Sequence, residues 1–386
     1  MKQTITCDEI KSYYEELKEK LEDTRKARGI RHDLALVLTT MMLSILRSVG
    51  TLNVSVIHRQ MGREHEAILK ALGLKRKKMV SDVQFRRILS SVNYANYNAL
   101  NLAYFNKEFI EKDGEWLAID GKELRGNIDG VSGKKRGENI VKMVSHEDKN
   151  SKVLGFYHGA KESEKTVVKG YFQEKKLING SFTFDALHTD SDLLEIIDSK
   201  GGIYLAQIKK NQALLLEDCK EIDLHLPANQ KYEDFDKAHG REEQRKARLY
   251  TVNVDGFAQR WTKTNIQTLV VVDRITRQSK NNKTTKETAY FVSNKALSIK
   301  ETMTGLELFQ AIRGHWNVEA DNWVRDVTLG EDKIQCKESN RIRVIASAIN
   351  NALNLFRKFD INNNIRAFRE NLIFDRKQAI ACFSTN

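Results

Sequence analysis

Three acids stand where a carboxylate could do chemistry. Asp120 closes the apolar run Trp116-Leu-Ala-Ile-Asp120 and precedes Gly121. Asp185 closes Ser181-Phe-Thr-Phe-Asp185, and Glu319 lies in the helical pattern Gly314-His-Trp-Asn-Val-Glu319. An acid at the carboxyl end of a buried strand faces a crevice rather than bulk solvent. Several such acids converging would hold hard divalent cations, which demand oxygen ligands. A pair of Mg²⁺ ions about 3.5–4 Å apart activates a nucleophilic oxygen and stabilises the leaving oxygen of a phosphodiester. Each acid alone has a plainer reading. Asp120-Gly121 is a turn dipeptide, Asp185 fits a helix N-cap, and Glu319 fits an ordinary helix face. The case for chemistry rests on their joint placement: one strand, a later strand, then a helix beyond a long interval. Trp316, Glu319, Trp323 and Asp326 share a helical face. An acid between tryptophans on an apolar face needs a charged partner, which bound metal, Arg313 or Lys122 could supply.

These acids need elements to position them. Residues 8–110 read as helices: a run opening at Asp8, a buried helix over Leu34–Ile45 that stops near Gly50, and short helices over Val54–Met61, Glu64–Leu72 and Ser81–Val92. From Trp116 the pattern changes to strands over 116–120, 139–144, 153–158, 181–184 and 203–208, with helices over 189–199 and 212–219, a mixed α/β domain with a hairpin start. Strand-like runs at 247–254, 266–275 and 288–292 mark a β-rich insertion over about 220–300. Helical pattern returns at Thr304 and runs with breaks to about Phe359, and the last 25 or so residues are weakly patterned.

Composition narrows the class. The chain has 386 residues, enough for two or three domains at roughly 100–200 residues each. Its 64 Lys and Arg outweigh 52 Asp and Glu, a net charge of +12 that favours polyanionic partners. Residues 1–110 hold 19 basic and 12 acidic side chains, so they carry +7 of that excess. Here the cluster Lys75, Arg76, Lys77 and Lys78 reads either as a solvated loop or as a phosphate-backbone contact. Four scattered cysteines without CxxC spacing argue against a zinc cluster or a disulfide framework. The longest apolar stretch is too short to span a bilayer, and the amino terminus has no apolar signal core, so a cytoplasmic protein with no membrane partner is expected.

The motifs together resemble those of bacterial insertion-sequence DDE transposases of the H-repeat-associated type. Ala118-Ile-Asp-Gly-Lys-Glu-Leu-Arg-Gly126 is similar to the first catalytic motif, Phe184-Asp-Ala-Leu-His-Thr189 to the second, and Tyr204-Leu-Ala-Gln-Ile-Lys-Lys-Asn-Gln212 to the strand that follows. His239-Gly-Arg-Glu-Glu-Gln-Arg245 is similar to a basic segment of the insertion. Arg313 through Glu319, with Trp323, Asp326 and Gly330-Glu-Asp332, is similar to the third catalytic motif. The resemblance implies an α/β fold: a helical N-terminal domain over 1–110, then a ribonuclease-H-like mixed-sheet catalytic domain over 111–386 that carries the β-rich insertion. It implies that Asp120, Asp185 and Glu319 form a catalytic triad holding Mg²⁺ or Mn²⁺, two ions in all, for cleavage of transposon-end DNA and strand transfer. Lys122, Arg125, Lys209, Asn211, Gln212, Arg241 and Arg245 would join residues 75–78 in contacting double-stranded DNA, namely the element's terminal repeats and its target. Synapsis of two ends implies a homodimer or larger assembly, and a cytoplasmic protein that joins the nucleoid when bound to DNA. Departures from the pattern at Asp190 and at Ala320-Asp321-Asn322 leave a second reading, a decayed or repurposed copy that only binds DNA.

Overall fold

The computed structural model describes residues 8–48, 50–75, 77–105, 114–128, 136–159, 162–238, 240–280, 283–298 and 303–384. Five helices come first: α1 (Asp8–Lys20), α2 (Leu34–Leu46), α3 (Val54–Ala71), α4 (Asp82–Ser91) and α5 (Tyr94–Phe105). Four starts are capped by side chains, with Asp33, Asn53, Ser81 and Asn93 accepting from the backbone N–H of Leu36, Val56, Gln84 and Asn96. Every residue of α2 is buried; its Thr40 and Ser44 hydroxyls donate to carbonyls one turn back, while the Thr39 hydroxyl finds no partner among the described residues. The two short helices expected over 54–72 are one, α3.

The sheet begins with β1 (Trp116–Glu123), β2 (Glu138–Ser145) and β3 (Ser151–His158), an antiparallel meander. Helix α6 (Glu162–Glu174) crosses back to β4 (Ser181–Phe184), which lies parallel to β1. Helix α7 (Ser191–Ser199) then leads to β5 (Ile203–Ile208), parallel to β4. After α8 (Ala213–His225) come β6 (Gln230–Ala238), β7 (Arg241–Thr251), β8 (Thr268–Gln278) and β9 (Thr284–Ser293), all antiparallel to their neighbours. The insertion expected over 220–300 is therefore β-rich. It extends the same sheet, because β9 pairs with β5, giving the order β3-β2-β1-β4-β5-β9-β8-β7-β6. The chain ends in α9 (Met303–Gly314), α10 (Asn317–Trp323) prolonged by a π turn over Val324–Leu329, α11 (Ser339–Phe359), α12 (Ile365–Phe374) and α13 (Arg376–Ala381).

Two hydrophobic layers cover the first part of the sheet. On one side α6, α7 and α8 pack on Leu117, Ile119, Val141, Phe182 and Tyr204. On the other, α11 lies against Ile140, Val153 and Phe156 and also against α2, α4 and α5. One core thus joins the N-terminal helices to α11–α13, and packing continues across the boundary expected at residue 110. Burial of Leu372, Ile380 and Phe383 explains helices where the terminal sequence looked weakly patterned. Among the described residues, no helix is long and apolar enough to cross a membrane.

Candidate active site

The register of the parallel strands sets two of the three acids side by side. Ile119 pairs with Phe184, the last residue of β4, so Asp120 and Asp185 are the next residues on adjacent strands, whose spacing is about 4.8 Å. Asp120 does not end its strand, since β1 runs on to Glu123 against β2. It is the point where β1 loses β4 as a neighbour. Beyond β4 the chain turns sharply: Asp185 Oδ1 accepts from the N–H of Leu187 (2.9 Å) and of His188 (3.2 Å). The helix N-cap is Asp190, which accepts from Leu193 N–H, so the cap suggested for Asp185 belongs to Asp190.

A fourth carboxylate stands in this corner. Glu164 of α6 is 3 % exposed and accepts from the Tyr157 hydroxyl (2.8 Å), with His188 Nε2 also at 2.8 Å. A Cβ on Gly121 would lie 2.3 Å from the Glu164 carboxyl carbon, so only glycine lets β1 approach it. Burial first, and then the negative charges of Glu164 and Asp185, push the Asp120 carboxyl up to about 6, against the opposing pull of Lys142 and His188. Nothing in the sequence pattern signalled Glu164, because α6 itself was not anticipated.

Glu319 reaches the same region from α10. It lines, together with Asp185, Lys209 and Arg245, a cleft of about 930 Å³ between the first strands and the insertion. Each residue before it has a task in seating the helix. Gly314 lies against the His146 ring, where a Cβ would be 2.0 Å from Nδ1. His315 Nδ1 meets the Thr183 hydroxyl at 2.9 Å, Asn317 donates to the His146 carbonyl (2.8 Å), and Val318 packs on Ala118 and Val144. Burial pulls His315 down to about 4 and His146 to about 3, so both rings are neutral near pH 7. Asn322 Nδ2 lies 3.4 Å from Asp120 Oδ2 and links α10 back to β1. The face shared by Glu319 and Trp323 is not apolar and buried as the spacing suggested: Glu319 is exposed and Trp323 is 60 % exposed. The buried acid of α10 is Asp321, ringed by Lys142, Arg325 and Arg357. Among the described residues, no group of three or more His, Cys, Asp or Glu side chains is gathered closely enough to hold a metal ion.

Several basic residues expected at DNA serve the fold instead. Lys122 is 7 % exposed and its ammonium sits among Asp326 (2.7 Å), Asp332 (2.7 Å) and Glu331 (3.3 Å). Arg245 is buried, paired with Asp234 and Glu243, and its guanidinium covers the Trp316 ring with that of Arg274. Gln212 is buried and donates to the carbonyls of Thr189 (2.6 Å) and Ala186 (3.2 Å), while Asn211 donates to Ala186 (2.6 Å). Both brace the turn after Asp185. Arg125, Lys209 and Arg241 are exposed, as are Lys75, Lys77 and Lys78, whereas Arg76 lies outside the described residues.

No family model matches the chain. It is similar to "Putative transposase YncI" of Escherichia coli O157:H7, 26% identical over 362 residues that cover 91% of this chain and 89% of that one. It is 25% identical to "H repeat-associated putative transposase YhhI" of Escherichia coli K12, over 87% of this chain and 88% of the other. "H repeat-associated putative transposase YbfD" of the same strain is 26% identical over 58% of this chain and 88% of its own. Over most of its length, the chain is a homologue of proteins named putative transposases, H repeat-associated ones among them.

Proposed function

We propose that this protein is a DDE transposase with a ribonuclease-H-like core, cutting DNA at element ends and joining the freed 3′-hydroxyl to a target. The observation that carries this reading is the register placing Asp120 beside Asp185, with Glu319 lining the cleft that Asp185 also lines. The order β3-β2-β1-β4-β5, antiparallel and then parallel, supports the ribonuclease-H-like core. The similarity to named transposases supports the substrate class.

Carboxylate oxygens are the donor type that a hard divalent cation takes. Burial first, and then the neighbouring carboxylates Glu164 and Asp185, push the Asp120 carboxyl up, so added positive charge there would be favoured. Asp120, Asp185 and Glu319 would hold Mg²⁺ or Mn²⁺, two ions in all, which when bound would supply Lewis-acid activation of the attacking and leaving oxygens. The chain's own residues do the rest. The turn at 185–188 fixes Asp185 through two backbone N–H groups, Asn322 tethers α10 to Asp120, and Lys209 offers an exposed ammonium to a phosphate at the cleft wall. Exposed Arg125, Arg241, Lys75, Lys77 and Lys78 would bind duplex backbone without reading its sequence. Pairing two ends calls for at least two copies on DNA.

The test is nicking of a plasmid carrying the element's ends, with Mg²⁺ or Mn²⁺. Wild type should release end-specific 3′-hydroxyls, and D120A, D185A and E319A should lose them while still shifting end DNA. A wild type that binds ends but cuts with neither metal would support the inert DNA-binding copy instead.

A further inference from the structure

A second cleft, of about 680 Å³, opens beside the C-terminal end of α10, between the π turn and α12. Trp323 forms one wall, 60 % exposed, with Val327, 61 % exposed, beside it. A large aromatic left in water in the middle of a helix contributes little to folding. Opposite stand Arg366, on the exposed face of α12, and Arg369, which is 5 % exposed. Arg369 donates to the carbonyls of Thr328 (2.6 Å) and Gly50 (2.8 Å), and its Nε finds no partner among the described residues. No carboxylate among the described residues forms an ion pair with it. Glu370, which also lines the cleft, pairs with Arg366 at 3.3 Å across the helix surface. A buried guanidinium hydrogen-bonded only to neutral carbonyls, with Glu370 as the one carboxylate acting on it, leaves positive charge at the cleft wall that suits an anion. Burial accordingly pulls Arg369 down to about 10.

We infer that this cleft binds an unpaired nucleotide of a DNA strand, its base stacked on Trp323 and its phosphate facing Arg366 and Arg369. The inference rests on the DNA-processing reading above. Glu319 and Trp323 are four residues apart on α10, hence neighbours on one helix face about one 5.4 Å turn apart. A strand leaving the acidic cleft meets the indole next. An exposed aromatic beside arginines is the pattern of single-strand binding, because every base offers a π face and every nucleotide a charge.

The probe is a single-stranded oligodeoxynucleotide containing 2-aminopurine, mixed with the full chain in EDTA so that no cutting is required. Wild type should quench the fluorophore. W323A should abolish the quench and weaken single-strand binding about tenfold while leaving blunt-duplex binding unchanged. W323F should restore most of both, and R366A should lower the salt slope by about one phosphate contact. Equal quenching by W323A and wild type overturns the inference, as does a W323A change in oligomeric mass without a change in single-strand binding. A wild type that nicks element ends while W323A behaves identically overturns only this inference. A wild type that binds neither single strand nor duplex overturns the DNA-processing reading as well.

Discussion

Two groups of acids lie within a few residues of each other and are treated oppositely. In the corner at the end of β4, Asp120 meets Asp185 and Glu164, and its carboxyl is pushed up to about 6. Behind α10, Asp321 is wholly buried among Lys142, Arg325 and Arg357. Burial works to raise it, but the three cations hold it well below the carboxylate range. Glu331 joins the same knot through Arg325 (3.0 Å) and Lys122 (3.3 Å). Glu319 and Asp321 share one helix, so two residues separate an acid offered to the cleft from an acid neutralised inside the protein. The carboxylate of Asp321, ringed by cations, holds α10 to the sheet, whereas that of Glu319 is exposed to the cleft.

The largest effect should come from breaking the neutral knot. D321A removes the carboxylate that Lys142, Arg325 and Arg357 share, leaves the buried Lys142 without its ion-pair partner, and should cost about 3–5 kcal/mol in a urea melt. A loss under about 1 kcal/mol would show that the knot is not structural. K122M comes next, leaving Asp326, Glu331 and Asp332 facing one another, at about 2–3 kcal/mol by the same measurement. D120N should have the opposite sign. The folded carboxyl titrates at about 6 against about 3.9 unfolded, so its protonated form favours the fold below about pH 4 and that favour is lost as pH rises through 6. The asparagine variant should therefore match wild type at pH 4 and exceed it by about 1–2 kcal/mol at pH 7. Equal stability of the two across that window would remove the electrostatic contrast. E319Q should be the smallest, within about 0.5 kcal/mol of wild type, because the side chain is exposed. It should abolish end cleavage nonetheless, separating activity from stability.

Much of the frame was legible in the sequence because apolar runs bounded by turns report strands directly. The spans 181–184 and 203–208 match β4 and β5. The run Trp116–Asp120 found β1 but not its end, since β1 continues through Gly121, Lys122 and Glu123 on pairing with β2 alone. β6 was missed for a physical reason: Gln-Lys-Tyr-Glu-Asp-Phe-Asp-Lys-Ala is an edge strand whose charges face water and pair with β7. The strands that lead to Asp120 and Asp185 were readable because each acid follows an apolar run. The roles of nearby bases were not, because a lysine in a surface loop and one in a buried ion knot are the same letter. Lys142 and Asp321 are 179 residues apart, and only folding brings them together. Lys122, Arg245 and Gln212 read as DNA contacts, yet each spends its hydrogen bonds inside the protein.

The pairing of β9 with β5 bears on attempts to trim the molecule. Without the insertion, β5 would be an outermost strand presenting Ile-Tyr-Leu-Ala-Gln-Ile with unpaired backbone groups along its length. That is a template for association between chains. A shortened chain made by excising residues 220–300 should therefore precipitate rather than yield a smaller soluble protein. The segment that looks like an accessory is also the stopper on an adhesive edge, and the chain is not free to lose it.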